Sequence, residues 1–176
     1  MTQLSSNDNA SATYTCGKNE HKKQNINLNL TWQQASDKQG DVRQHTGNQF
    51  YNANVAYALN LVPRQMTISV SFNGTLNNGV NLHSKTFGPT TAINKSFFDK
   101  KLRATFSTSC NNTYTNGALV NSIVNARLNG NITVHKKHNI SLSMAMVNRK
   151  SKTGEHSNSF TDYTGTLGYN YTFGMK

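Results

Sequence analysis

Apolar and polar residues alternate along most of this chain with a period of two. In Gln24–Gln33 the even positions hold Ile26, Leu28, Leu30 and Trp32. The odd positions hold Asn25, Asn27, Asn29, Thr31 and Gln33. This separation predicts a β-strand with one apolar and one polar face. Tyr51, Ala53, Val55, Tyr57, Leu59 and Leu61 oppose Asn52, Asn54, Ala56 and Asn60 in the same way. Met66, Ile68, Val70 and Phe72 oppose Thr67, Ser69, Ser71 and Asn73. Leu102, Ala104 and Phe106 oppose Arg103, Thr105 and Ser107. Further strands are predicted within Val120–Val134, Ile140–Met146 and Asp162–Phe173. Weaker alternation predicts two more, at Ala12–Cys16 and Thr86–Phe98, the second interrupted by Pro89. The total is nine strands, and no segment shows a helical period.

The fold expected is all-β, an antiparallel up-and-down meander. The connections alternate in length. Lys18–Lys23, Val62–Gln65, Asp99–Lys101 and His135–His138 are short. Gln34–Asn48, Asn77–Lys85, Asn111–Leu119 and Asn148–Ser159 are longer. Tight turns are therefore expected at one end of the sheet and long loops at the other. Residues 1–10 read as a disordered polar segment, 11–173 as the β-structure and 174–176 as a short tail.

Composition narrows the class. The chain has 176 residues, only 35% of them hydrophobic, and no apolar run long enough for a membrane helix. Two cysteines cannot build a disulfide scaffold. The polar face is built largely from the 26 asparagines, with Ser and Thr. A strand face in open solvent is normally richer in Lys and Glu, whereas short neutral side chains suit a crowded lumen. In a transmembrane β-barrel only one face of each strand meets lipid, so a low apolar content suffices. The meander is therefore expected to form all or part of such a barrel. The alternative is a soluble all-β ligand-binding protein, a lipocalin-like barrel or a sandwich. The two differ in where the apolar face points: outward in the first, into a closed core in the second.

A family resemblance follows from the last strand, Gly165-Thr166-Leu167-Gly168-Tyr169-Asn170-Tyr171-Thr172-Phe173. It resembles the C-terminal strand of bacterial outer-membrane proteins, where alternate aromatics ending in Phe are read by the barrel-assembly machinery. The resemblance gives that role to Tyr169, Tyr171 and Phe173. Gly174-Met175-Lys176 depart from the pattern, because the Phe usually ends the chain. Lys95-Ser96-Phe97-Phe98-Asp99-Lys100-Lys101-Leu102-Arg103 and the Asn-rich strands resemble C-terminal barrel regions of Bacteroidota outer-membrane proteins. This implies the outer membrane of a Gram-negative cell, and a porin-like structural or transport role without catalysis. It also implies a periplasmic C-terminus. Counting strands back from there, the first one enters from outside, and no signal sequence follows Met1. Further barrel strands of the same protein are thus expected upstream.

The net charge of +11 is explained largely by position. Lys22, Lys23, Arg64, Lys100, Lys101, Lys136 and Lys137 line the tight-turn end. Arg149, Lys150 and Lys152 fall in the final long loop, where they would meet anionic lipid or lipopolysaccharide. Arg103 and Arg127 fall on the polar face and are expected to line a lumen. Nucleic acid is not an expected partner, because the aromatics follow the apolar face instead of interleaving with the bases. Trp32, Tyr51 and Tyr163 are expected to form one aromatic girdle near the long loops. Phe97, with Tyr169, Tyr171 and Phe173, would form the other.

No catalytic, cofactor or metal residues are expected. His135 and His138 flank two lysines, and the other histidines lack ligand spacing. No pair of acids is spaced for acid–base work. Asp37, Asp41 and His45 share one loop, as acids and a histidine do at the rim of omptin-like barrel proteases, but a hydrated loop accounts for them. Cys16 and Cys110 share the apolar register on non-adjacent strands and are expected to be free thiols.

Overall fold

The computed structural model describes residues 2–19, 21–39, 42–43, 47–135, 137–153 and 156–173. Its strands are β1 (Thr2–Asn19), β2 (Lys22–Gln39), β3 (Val42–Arg43), β4 (Asn48–Leu61), β5 (Met66–Asn78), β6 (His83–Phe97), β7 (Leu102–Thr115), β8 (Ala118–Val134), β9 (His138–Thr153) and β10 (His156–Tyr171). Nine of them follow one another in a single antiparallel sheet, β1-β2-β4-β5-β6-β7-β8-β9-β10, with the short β3 paired to β2. The fold is the expected up-and-down meander. The sheet is open, with β1 and β10 as its two edges.

The alternation within each strand is shared between strands. Ile26 stands opposite Tyr14 and Tyr57, and Tyr57 opposite Val70. Across the far half, Phe106 faces Leu128, Leu128 faces Met144, and Leu142 faces Leu167. All apolar stripes therefore lie on one side of the sheet. A slip of one residue in any hairpin would have broken this.

The pairing is also staggered. The row Ile26–Tyr57–Val70 lies four residues from the tight-turn ends of its strands, Lys22, Leu61 and Met66. The corresponding row Ala126–Met146–Tyr163 lies eight residues from Val134, His138 and Tyr171. Drift in one direction is how strands tilt around a curved wall.

Four details differ from the sequence reading. β1 starts at Thr2, so the segment expected to be disordered is paired, with Ser5 opposite Ala35 and Asp8 opposite Trp32. The expected long loops are mostly strand. Asn111–Leu119 reduces to a two-residue hairpin at Asn116–Gly117, with φ of 50° and 83°. This is the left-handed pair that Asn-Gly favours in tight hairpins. Arg149, Lys150 and Lys152 lie in β9 and not in a loop. Backbone pairing has no need of apolar contrast, so strands run on where the side chains on both faces turn polar.

Pro89 behaves as expected of a residue without an N–H. The β6–β7 ladder is interrupted at Gly88 and Pro89, between the pairs Phe87–Asn112 and Thr90–Ser109. Gly88 is buried there, and a Cβ on it would run into the Cys110 carbonyl oxygen.

The two faces are unequally exposed. In β6, Phe87, Thr91 and Ile93 are exposed while Ser84, Thr86, Thr90 and Ala92 are half-buried. In β4, Ala53, Val55 and Tyr57 are exposed while Asn52, Asn54, Ala56 and Ala58 are half-buried. In β9, Ile140, Leu142 and Met144 are exposed while Ser141, Ser143 and Ala145 are half-buried. A flat sheet exposes both sides alike. In these strands the polar side is the more crowded one, whereas in β7 and β8 the apolar side is covered at least as well, with Leu102, Val124 and Ile132 half-buried and Arg103 and Arg127 exposed. Among the described residues no apolar side chain is buried, and Met144 and Phe72 are 52% and 51% exposed.

Candidate functional site

The enclosed polar face is held by hydrogen bonds between residues directly opposite one another. Thr13 donates to Asn27 at 2.9 Å, Thr105 to Asn94 at 2.6 Å, Ser143 to Asn129 at 2.7 Å and Thr133 to Asn139 at 2.7 Å. Thr86 and Thr113 share a bond of 2.9 Å, and Asn125 donates to Ser109 at 3.2 Å. The spacing follows from the pleat: opposed Cβ atoms lie close enough for short polar side chains to meet. Longer charged side chains would not fit so densely on a concave wall. Asn27, Asn94, Asn125, Asn129 and Asn139 thus each join two strands along this face.

The two basic residues expected on this face are there. Arg103 on β7 stands opposite Ser96 and Asn131. Arg127 on β8 stands opposite Ser107 and Ala145. Both side chains are exposed. A third, Arg149, lies on the same face of β9, opposite Ile123 and Phe160. In the sequence it falls within Asn148–Ser159, expected to be a loop, although its odd number, shared with Ser141 and Ser143, puts it on the polar register. A recess of about 340 Å³ opens beside Arg127, bordered on this face by Thr90, Ser107, Ser109, Asn125 and Val147.

The aromatic residues expected to form girdles lie on the opposite face, whereas Phe50 and Phe160 fall on the polar register. Trp32 and Tyr51 are neighbours. Tyr163 falls at the middle of β10, because that strand extends back to His156. Measured from the tight-turn end the three are nonetheless level, with Trp32, Tyr51 and Tyr163 ten, ten and eight residues from Lys22, Leu61 and Tyr171. At the other level, Phe97 packs near Phe98 and under the Lys95 ammonium, 4.8 Å from its ring centre.

Tyr169 and Tyr171 gather around His138. Its Nδ1 shares a 2.8 Å hydrogen bond with the Tyr169 hydroxyl, and the Tyr171 ring lies 4.9 Å away. Phe173 meets Tyr171 edge-on at 4.6 Å. Sequence reading missed His138 as a partner of these aromatics. Its even number, shared with Ile140 and Leu142, was the available signal.

A large groove of about 870 Å³ marks the apolar face, where Ala10, Ala53 and Gly74 leave space between Trp32 and the Phe72–Phe87 pair. Among the described residues, no group of three or more His, Cys, Asp or Glu gathers into a metal-binding cluster. Asp41 and His45, from the loop compared with the omptin rim, lie outside the described residues, as do Lys136 and the tail 174–176. Cys16 and Cys110 are free thiols. No family model matches the chain, and no curated protein matches it either.

Proposed function

We propose that this sheet is the wall of a transmembrane β-barrel in a bacterial outer membrane, a pore or transporter wall without catalytic chemistry. One observation carries the reading: along β2, β4, β6 and β9 the apolar face is the more exposed side and the polar face the more enclosed. Burying one large apolar side chain is worth about 1.5–3 kcal/mol. A continuous stripe of them across nine strands needs a cover. Lipid supplies one, while the backbone satisfies itself within the sheet. A soluble barrel or sandwich would turn the same stripes inward.

The two aromatic levels support the reading. Ten residues separate Trp32 from Lys22, and Tyr51 from Leu61. At about 3.3 Å per residue and a tilt of about 40°, ten residues span roughly 25 Å, the height of the apolar band of such barrels. Beyond Trp32 the same register turns polar with Gln34, and beyond Met146 with Asn148 and Lys150. These extensions project on the loop side, where β9 offers Lys150 and Lys152 to anionic lipid or lipopolysaccharide. Tyr169, Tyr171 and Phe173 form the strand read by the assembly machinery. The open edges are completed by further barrel strands of the same protein.

Solubility tests the reading. The purified chain is expected to be monodisperse only in detergent. A monodisperse monomer in detergent-free buffer overturns it.

A further inference from the structure

The enclosed face carries a line of arginines that climbs three strands at constant pitch. Arg103 stands opposite Asn131, which lies four residues from Arg127 along β8. Arg127 stands opposite Ala145, which lies four residues from Arg149 along β9. Each step moves four residues toward the loop end and one strand sideways. With about 3.3 Å per residue and 4.8 Å between strands, successive Cα atoms are roughly 14 Å apart. All three side chains are exposed on the polar face, whose other charges include Lys23 and Asp162.

The middle arginine borders the recess of about 340 Å³. Its other polar lining is the hydroxyls of Thr90, Ser107, Thr108 and Ser109 and the Asn125 amide, where Thr108 donates to the Asn125 carbonyl and the Asn125 amide donates to Ser109. Among the described residues no carboxylate lines it. Asp162, the acid on this face of β10, stands opposite Val147 and so is two strands from Arg127. A guanidinium among hydroxyls in a recess attracts anions and can bind one through two parallel hydrogen bonds. Arginine rings select anions in pores for the same reason.

We propose that this recess binds an oxyanion, the phosphate or carboxylate group of a small solute. Arg127 anchors it, and Arg103 and Arg149 mark the approach from the two ends. The proposal rests on the barrel-wall reading, which makes this face the lining of a lumen.

The test uses the full chain in detergent micelles at low ionic strength, titrated calorimetrically with inorganic phosphate and, separately, with acetate. Saturable binding of either supports the site and identifies the preferred group. Choline serves as the cationic control and is expected not to bind. Arg127→Gln should weaken binding about tenfold or more, because a charge-assisted hydrogen bond is lost. Arg127→Lys should retain part of it. Ser109→Ala should weaken it several-fold, and answers the question if the arginine variant misfolds. Lys101→Gln, on a tight turn, should leave it unchanged. No saturable anion binding, or unchanged affinity in both Arg127→Gln and Ser109→Ala, overturns the proposal. The barrel reading is scored separately, by the detergent dependence of solubility. A chain that needs detergent but ignores both anions sinks the oxyanion site alone. A chain that is a monodisperse monomer without detergent sinks the barrel reading, and this site with it.

Discussion

Trp32 and Tyr51 face each other across β2 and β4, with ring centres 6.3 Å apart and planes 7° from parallel. The pair sits where the apolar stripe of β2 gives way to Gln34. Trp32 is the chain's single tryptophan, so its fluorescence reports this one depth. In liposomes its emission should be quenched more strongly by bromine near the lipid headgroup than by bromine at mid-chain. The opposite order would remove the girdle. Tyr51→Ala should cost about 1 kcal/mol beyond lost area, measured as a lower urea midpoint in micelles.

Leu142 and Ser143 are adjacent in β9 but lie on opposite faces, the leucine 44% exposed. Leu142→Lys should cost about 2–4 kcal/mol in a bilayer, where it would put a charge against hydrocarbon. Ser143→Lys, on the polar face opposite Asn129, should cost far less. Folding yields into liposomes compare the two. Equal effects would place both residues in water.

Gly88 and Gly165 separate backbone contact from open space. An alanine at Gly88 drives its Cβ into the Cys110 carbonyl, and the backbone of β6 or β7 must move. The expected loss is about 3 kcal/mol. Gly165 has nothing within 4 Å of the added Cβ, so Gly165→Ala should be nearly neutral. Urea titration of the two variants, followed by circular dichroism, checks the contrast.

Cys110 lies on the apolar register, opposite Val124. In intact liposomes it should resist a water-soluble maleimide and react once detergent is added. Rapid labelling before detergent would mean that this face meets water.

Gly117 adopts φ of 83° and follows Asn116 at 50°. Gly117→Val should destabilise the β7–β8 hairpin by about 1–2 kcal/mol and slow refolding, because a β-branched residue resists that backbone. Stopped-flow refolding into micelles measures it.

Period-two alternation was enough to place nine strands and to say which side chains share a face, as Ile26, Tyr57 and Val70 show. It failed where both faces are polar. Ser5, Asn7 and Asn9 carry no contrast with their neighbours, yet β1 pairs through them. The same blindness left Arg149 in a loop. The arginine line was illegible for a second reason. Arg103 and Arg127 could each be assigned to the polar face, but their alignment depends on register between β7 and β8. Register is fixed by turn length, and the Asn116–Gly117 turn was read as a longer loop.

The open meander has one further geometric consequence. Nine strands in strict alternation leave β1 and β10 pointing the same way. A direct seam between them would be parallel, with slanted hydrogen bonds unlike those of the other pairs. An all-antiparallel closure requires an odd number of added strands between the two edges. Cysteines placed on β1 and β10 would cross-link only if the two edges meet in that parallel seam.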